Sequence, residues 1–315
     1  MPRQITPYTV VTYRYLRIAM VAVLVMIAAS VVIESVRSRC LLGSVSSYYF
    51  TPVRTIFVGA LFAFGAALIA YKGHSDEEDS VLNLSGLMAF VVAIVPTVPD
   101  DSCQVSNSAI PAASRSIAVT NNILSLLVAG AVALLIGWAF RSRAKEPAST
   151  VTTDRPESAR RDAATGAGVR RPVWIQSNWT WLRWVLWVVP VAEVVSFAAF
   201  PGFVEDRGHA ISAVTMVVGL ILVMFFNAWF SEVRREDEGG QYRRRYQRLA
   251  VALILAVATT IALASFMGES LLILLLEFVI LGIFVVYWLY QTAELWSAAD
   301  SGHTPDSDAA PAAKA

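Results

Sequence analysis

Leu271-Leu272-Ile273-Leu274-Leu275-Leu276-Glu277-Phe278-Val279-Ile280-Leu281-Gly282-Ile283-Phe284-Val285-Val286-Tyr287-Trp288-Leu289-Tyr290 is a run of twenty residues with one charged side chain, Glu277. Coiled as an α-helix at about 1.5 Å per residue, it matches the roughly 30 Å hydrocarbon core of a bilayer. Upstream, the same reading picks out Leu16 to Val36, Thr55 to Tyr71, Val81 to Val98, Asn122 to Phe140, Trp181 to Phe200, Ile211 to Phe230 and Leu249 to Met267. The whole chain is 56% hydrophobic and 16% charged, against about 25% charged for a soluble domain. The predicted fold is therefore all-α, a polytopic transmembrane bundle of about eight helices. The first segment has basic flanks like a signal peptide. Its apolar run is too long and Glu34-Ser35-Val36-Arg37 is a poor cleavage site, so it reads as an uncleaved span.

Basic loops stay in the cytoplasm. With the N-terminus inside, 20 of the 25 Lys and Arg fall in inner loops and ends, leaving Arg37, Arg39, Arg54, Arg115 and Arg207 outside. Both termini are thus predicted cytoplasmic. All nine Trp fall near the inner interface on this reading, where an amphipathic indole is favoured. A formal net charge of +1 supplies no basic surface for nucleic acid. Membrane lipids are the expected surroundings.

Four parts follow: a first four-helix half (1–141), a linker (142–173), a second four-helix half (174–296) and a tail (297–315). The linker and tail are rich in Ala, Pro, Thr and charge without hydrophobic period, so both are expected to be disordered. Tyr15-Leu16-Arg17 and Trp181-Leu182-Arg183 echo each other ahead of spans one and five, but the halves do not otherwise align. The two cysteines, Cys40 and Cys103, fall in outer loops. On an oxidising side they would pair, for about 4 kcal/mol in the chain-entropy model; two unrelated thiols is the alternative.

Charged groups within a bilayer cost about 2.5 to 3.5 kcal/mol at a helix centre, so they usually face a cavity or a partner. Glu193 and Glu277 are such groups, with Glu34 nearer the end of its span. Glu193 precedes Pro201 and Glu277 follows Ser270, which sets both about 10 to 12 Å beneath the outer surface. As neighbours they could hold a proton, a cation or a ligand amine; apart, each would be a hydrogen-bonded structural group, Glu193 with Ser196. The loop Gly43 to Arg54 gathers Ser46, Ser47, Tyr48, Tyr49 and Arg54 above them. It could bind a polar headgroup or present Arg54 to Glu34 or Glu277. It could equally be an interfacial loop with Tyr48 and Tyr49 as belt residues.

Gly59, Ala63 and Ala67 form a small-residue stripe for close packing. Asp76-Glu77-Glu78-Asp79 reads as a solvated cap on the third span, ahead of a metal site. Asn83, Asn227 and Pro96 read as packing. No hydrolase elbow, zinc motif, P-loop or dinucleotide pattern occurs, so no catalytic residue, metal or cofactor is assigned. His209 could serve as base to Ser46 or Ser47, but beside Glu205-Asp206-Arg207 it reads as a solvated loop residue. His74 is predicted inside and His303 lies in the tail.

Ser46-Ser47-Tyr48-Tyr49-Phe50-Thr51-Pro52-Val53-Arg54-Thr55-Ile56-Phe57-Val58-Gly59, with Tyr71-Lys72-Gly73, Asn83-Leu84-Ser85-Gly86 and the run from Glu277 through Gly282 and Trp288 to Glu294, resembles a group of uncharacterised bacterial multi-pass membrane proteins. Gln291 departs from that group, which commonly carries Lys there. The resemblance implies a bacterial cytoplasmic membrane and no established activity. An intramembrane hydrolase of the ceramidase and adiponectin-receptor type needs His ligands within its spans, and none is predicted here. The leading functional expectation is a non-enzymatic protein that binds or moves a lipid or small solute through an outward-facing pocket. An intramembrane lipid-modifying enzyme using paired carboxylates, and a scaffold or sensor with structural carboxyls, are the alternatives.

Overall fold

A computed structural model describes residues 7–73, 76–97, 112–143, 180–233, 241–267 and 270–301. Cys103, His74, His303, the predicted linker beyond Arg143 and the tail beyond Ser301 lie outside the described residues. All regular structure among the described residues is helical. The long helices are α1 (Pro7–Ser38), α2 (Arg54–Ala70), α3 (Asp76–Ile94), α4 (Ala112–Arg143), α5 (Thr180–Ala199), α6 (His209–Val233), α7 (Gln241–Met267) and α8 (Ser270–Ser301). A 3-10 turn at Ser46–Phe50 joins α1 to α2, and a π-helical turn at Val204–Gly208 leads directly into α6.

Each predicted segment overlaps one of these helices, and their ends have local causes. α1 stops where Arg39 turns to a positive φ of 53°, a left-handed closing residue, and the Cys40 N–H reaches the Ser35 carbonyl at 3.2 Å. α3 ends at Ile94, two residues ahead of Pro96, because a proline disfavours helical geometry in the residue before it and carries no N–H. Five stretches are long and apolar enough to cross a membrane: Val11–Ser38, Ser116–Phe140, Val204–Ala228, Arg243–Phe266 and Leu271–Ala293. The chain is a membrane protein.

Six helices close a ring. α3 packs on α2, α2 on α1, α1 on α8, α8 on α7, α7 on α6, and α6 returns to α3. Members of both predicted halves therefore share one bundle. α4 and α5 attach to α3, and α4 leaves Leu134, Trp138 and Phe140 exposed as a lipid-facing surface. The core lies in two stacked layers. One surrounds Leu68, Leu82, Met224, Leu253 and Trp288; the other surrounds Ile27, Tyr48, Phe57, Ala93 and Leu274. Burial from lipid yields no hydrophobic gain between helices, so this packing relies on close contact and hydrogen bonds.

The close contact falls elsewhere than the predicted stripe. A Cβ on Gly59 would meet nothing within 4 Å, whereas one on Gly65 would stand 2.6 Å from the Gly86 carbonyl oxygen, and one on Gly86 the same distance from that of Gly65. The α2–α3 crossing is thus built on Gly65 and Gly86. Small residues at four-residue spacing mark a face that can be approached closely, but not which partner approaches it. Trp288 also departs from the interfacial reading: it is fully buried, edge-on to Tyr71 and Tyr287.

Candidate functional site

Polar side chains gather at both ends of the bundle. At the end predicted to face outward, the Ser46–Phe50 turn folds back onto the helices. The Val45 N–H donates to Glu277 Oε2 of α8 at 2.5 Å. Tyr48 bonds through its hydroxyl to Ser35 Oγ of α1 and accepts from the Leu42 N–H at 3.3 Å. Ser44 and Ser47 bond to each other at 2.8 Å, and Thr51 Oγ1 donates to the Tyr48 carbonyl at 2.7 Å. Tyr48 and Tyr49 are buried against the bundle, so neither presents its ring outward as a belt residue would. Arg54 is exposed and its guanidinium stacks over the Tyr49 ring at 4.6 Å.

The carboxyls take separate partners. Glu34 is buried yet binds Arg37 of its own helix, at 2.9 Å from Nε and 2.7 Å from Nη2. Glu193 accepts from Ser212 Oγ of α6 at 2.9 Å rather than from Ser196. Glu277 meets the loop. The structure thus assembles Glu277, Ser46, Ser47, Tyr48 and Tyr49 around one turn, while Arg54 is engaged with Tyr49 and neither Glu34 nor Glu193 bonds to that turn.

His209 joins this end from α6. It is buried, not a solvated loop residue. Its Nδ1 lies 2.6 Å from the Val95 carbonyl oxygen and its Nε2 2.8 Å from Ser46 Oγ. A carbonyl can only accept, so Nδ1 carries the proton, and Nε2 of the neutral ring then accepts from the Ser46 hydroxyl. One turn before it, Glu205 accepts from Ser116 Oγ of α4 at 2.6 Å.

The opposite end holds a network that the sequence reading did not assemble. Arg17 of α1 is buried. It donates to the Gln291 carbonyl at 3.0 Å and to the Tyr71 hydroxyl. Tyr71 donates to Gln291 Oε1 at 3.3 Å, and Gln291 Nε2 to the Tyr287 hydroxyl at 2.9 Å. Asn227 Nδ2 reaches both that hydroxyl, at 2.8 Å, and Glu78 Oε1, at 2.6 Å. A hydrogen-bonded chain therefore connects a guanidinium to a carboxylate through four neutral side chains. Glu78 is fully buried, which corrects the solvated-cap reading of the acidic run. Asp79 caps locally, accepting from the Gly73 N–H and pairing with Lys72 at 2.9 Å. The available signal was matched depth: Arg17, Tyr71, Glu78, Asn227 and Gln291 all lie at helix ends predicted to share one side.

Among the described residues, no group of His, Cys, Asp and Glu is placed to hold a metal ion. A shallow groove lined by Arg244, Arg248 and Leu255 belongs to α7 alone and brings no other element's chemistry to it. No protein-family model, no curated protein and no solved structure matches this chain.

Proposed function

We propose that the protein binds or moves a lipid or small solute at the outer end of its bundle, with the Val45–Thr51 turn as the cover and Glu277 beneath it. The observation that carries this reading is the bond from the Val45 N–H to Glu277. A carboxylate within a membrane span is costly to bury and needs strong partners, and this one is met by a backbone N–H of the covering turn. A ligand amine, cation or hydroxyl can take the place of that N–H as the turn lifts. Ser46, Ser47 and Tyr48 supply further donors and acceptors to a polar headgroup. The proposal includes eight membrane crossings, both termini in the cytoplasm, residence in a bacterial cytoplasmic membrane, and a Cys40–Cys103 disulfide restraining the outer loops.

A scaffold or sensor is the second reading, favoured by the inner chain from Arg17 to Glu78, which ties α1, α3, α6 and α8 together. The two readings separate in a melting experiment on detergent-solubilised protein titrated with a bacterial lipid extract and with simple amines. A binder is stabilised in the wild type and not in Glu277→Gln. Equal melting of both proteins under every addition supports the scaffold.

A further inference from the structure

We propose that Ser46 and His209 form a nucleophile and general base that transfer an acyl group from a carboxylic ester. The inference rests on the reading that the outer end takes up a ligand, and it gives that ligand a chemical class. Three elements that are distant in sequence converge here: Ser46 from the 3-10 turn, His209 from the first residue of α6, and the Val95 carbonyl just past α3. The Val95 carbonyl fixes the tautomer, so the Nε2 lone pair points at the hydroxyl whose proton must leave. That is the geometry in which an imidazole activates a serine, with a main-chain carbonyl orienting the base.

Two further observations bear on this pair. The turn immediately before His209 is π-helical, an uncommon geometry that recurs at functional sites. Ser46 and His209 each keep 8% of their surface exposed, much as Ser47 and Thr51 of the same turn keep 7%, whereas Glu78 and Ser85 keep none. Ser46 belongs to the covering turn and His209 to the helix on which that turn rests, so the hydroxyl lies at the end of the bundle where the proposed ligand enters.

The step balances without a cofactor. Ser46 Oγ bonds to the ester carbonyl carbon while its proton passes to His209 Nε2. The carbon–oxygen bond to the alcohol then breaks, and the departing oxygen takes the proton from Nε2. Water, or a second alcohol, attacks the acyl-serine in turn and gives its own proton to His209, releasing the acid or the new ester and restoring Ser46.

The test uses the full chain in detergent and a fluorophosphonate probe, which phosphonylates an activated serine with loss of fluoride. Wild-type protein is expected to become labelled at Ser46, as read by peptide mass. Ser46→Ala, which removes one oxygen, is expected to lose that label, and His209→Gln to slow it by about 100-fold or more. Melting of each variant is followed in parallel, and a Ser46→Thr variant that retains a hydroxyl provides a second folded comparison. Absence of labelling at Ser46 in wild-type protein overturns the proposal, as does an unchanged rate in folded His209→Gln. If the lipid-dependent stabilisation persists while labelling fails, the nucleophile is wrong and the binding site stands. If both fail, the binding reading fails as well.

Discussion

The Val45 N–H and the Glu277 carboxylate meet at 2.5 Å across 232 residues of sequence, which joins the connection between α1 and α2 to α8. That bond seats the 3-10 turn on the bundle and closes the end of the ring where α1 and α8 pack. Because it is made by a backbone donor, side-chain changes at Val45 leave it in place, and proline, which has no N–H, is the substitution there that removes it. The carboxylate is the adjustable partner.

The network from Arg17 to Glu78 gives a prediction on stability. Asn227→Leu removes the donor that Glu78 and Tyr287 share and leaves a buried carboxylate less well satisfied. The expected loss is about 1 to 3 kcal/mol. A double-mutant cycle with Glu78→Gln should recover part of it, since the neutral amide costs less to leave short of partners. Strict additivity of the two losses would show that the residues do not interact.

The helix crossing gives a sharper contrast. Gly65→Ala drives a methyl to 2.6 Å from the Gly86 carbonyl oxygen, a backbone atom that cannot swing aside. The α2–α3 pair must separate, for an expected cost of about 1 to 3 kcal/mol. Gly59→Ala enters open space and should change stability by about 0.5 kcal/mol or less, or improve it through helix propensity. Thermal melting in one detergent compares them, and equal effects would contradict the crossing.

Redox state offers a third check. Cys40 is not a free thiol, and Cys103 is the other cysteine of the chain. Non-reducing peptide maps are expected to contain a linked peptide holding both, which reduction splits in two. Finding both thiols freely alkylated without reduction would rule the pairing out.

The helices were legible because apolar runs long enough to span a bilayer admit few other structures, and Pro96 and Arg39 mark ends for local reasons. Partners were harder to read. The loop expected above Glu277 reaches it through the Val45 N–H, whereas Arg54, offered as a counter-ion, stacks on Tyr49. Glu193, predicted at the depth of Glu277, bonds to Ser212 instead, because depth fixes a level and leaves open the face to which a helix turns. His209 looked solvated from its charged neighbours Glu205, Asp206 and Arg207, yet the π-helical turn rotates it inward against Val95. Glu78 was hidden in the same way, inside a run whose other members suggest water. Gln291 and Asn227 are single polar residues on apolar helices, and their meaning appears when Arg17, Tyr71 and Tyr287 stand around them.

The central claim is that Glu277 holds a ligand beneath the covering turn. Native mass spectrometry with lipidomics, on protein released from its own membrane, tests it most directly, with wild type beside Glu277→Gln. The carboxamide can still accept from the Val45 N–H, so the two proteins should melt alike. A defined mass adduct on the wild type that is missing from Glu277→Gln is the predicted result. Bare protein in both samples, or the same adduct on both, would contradict it.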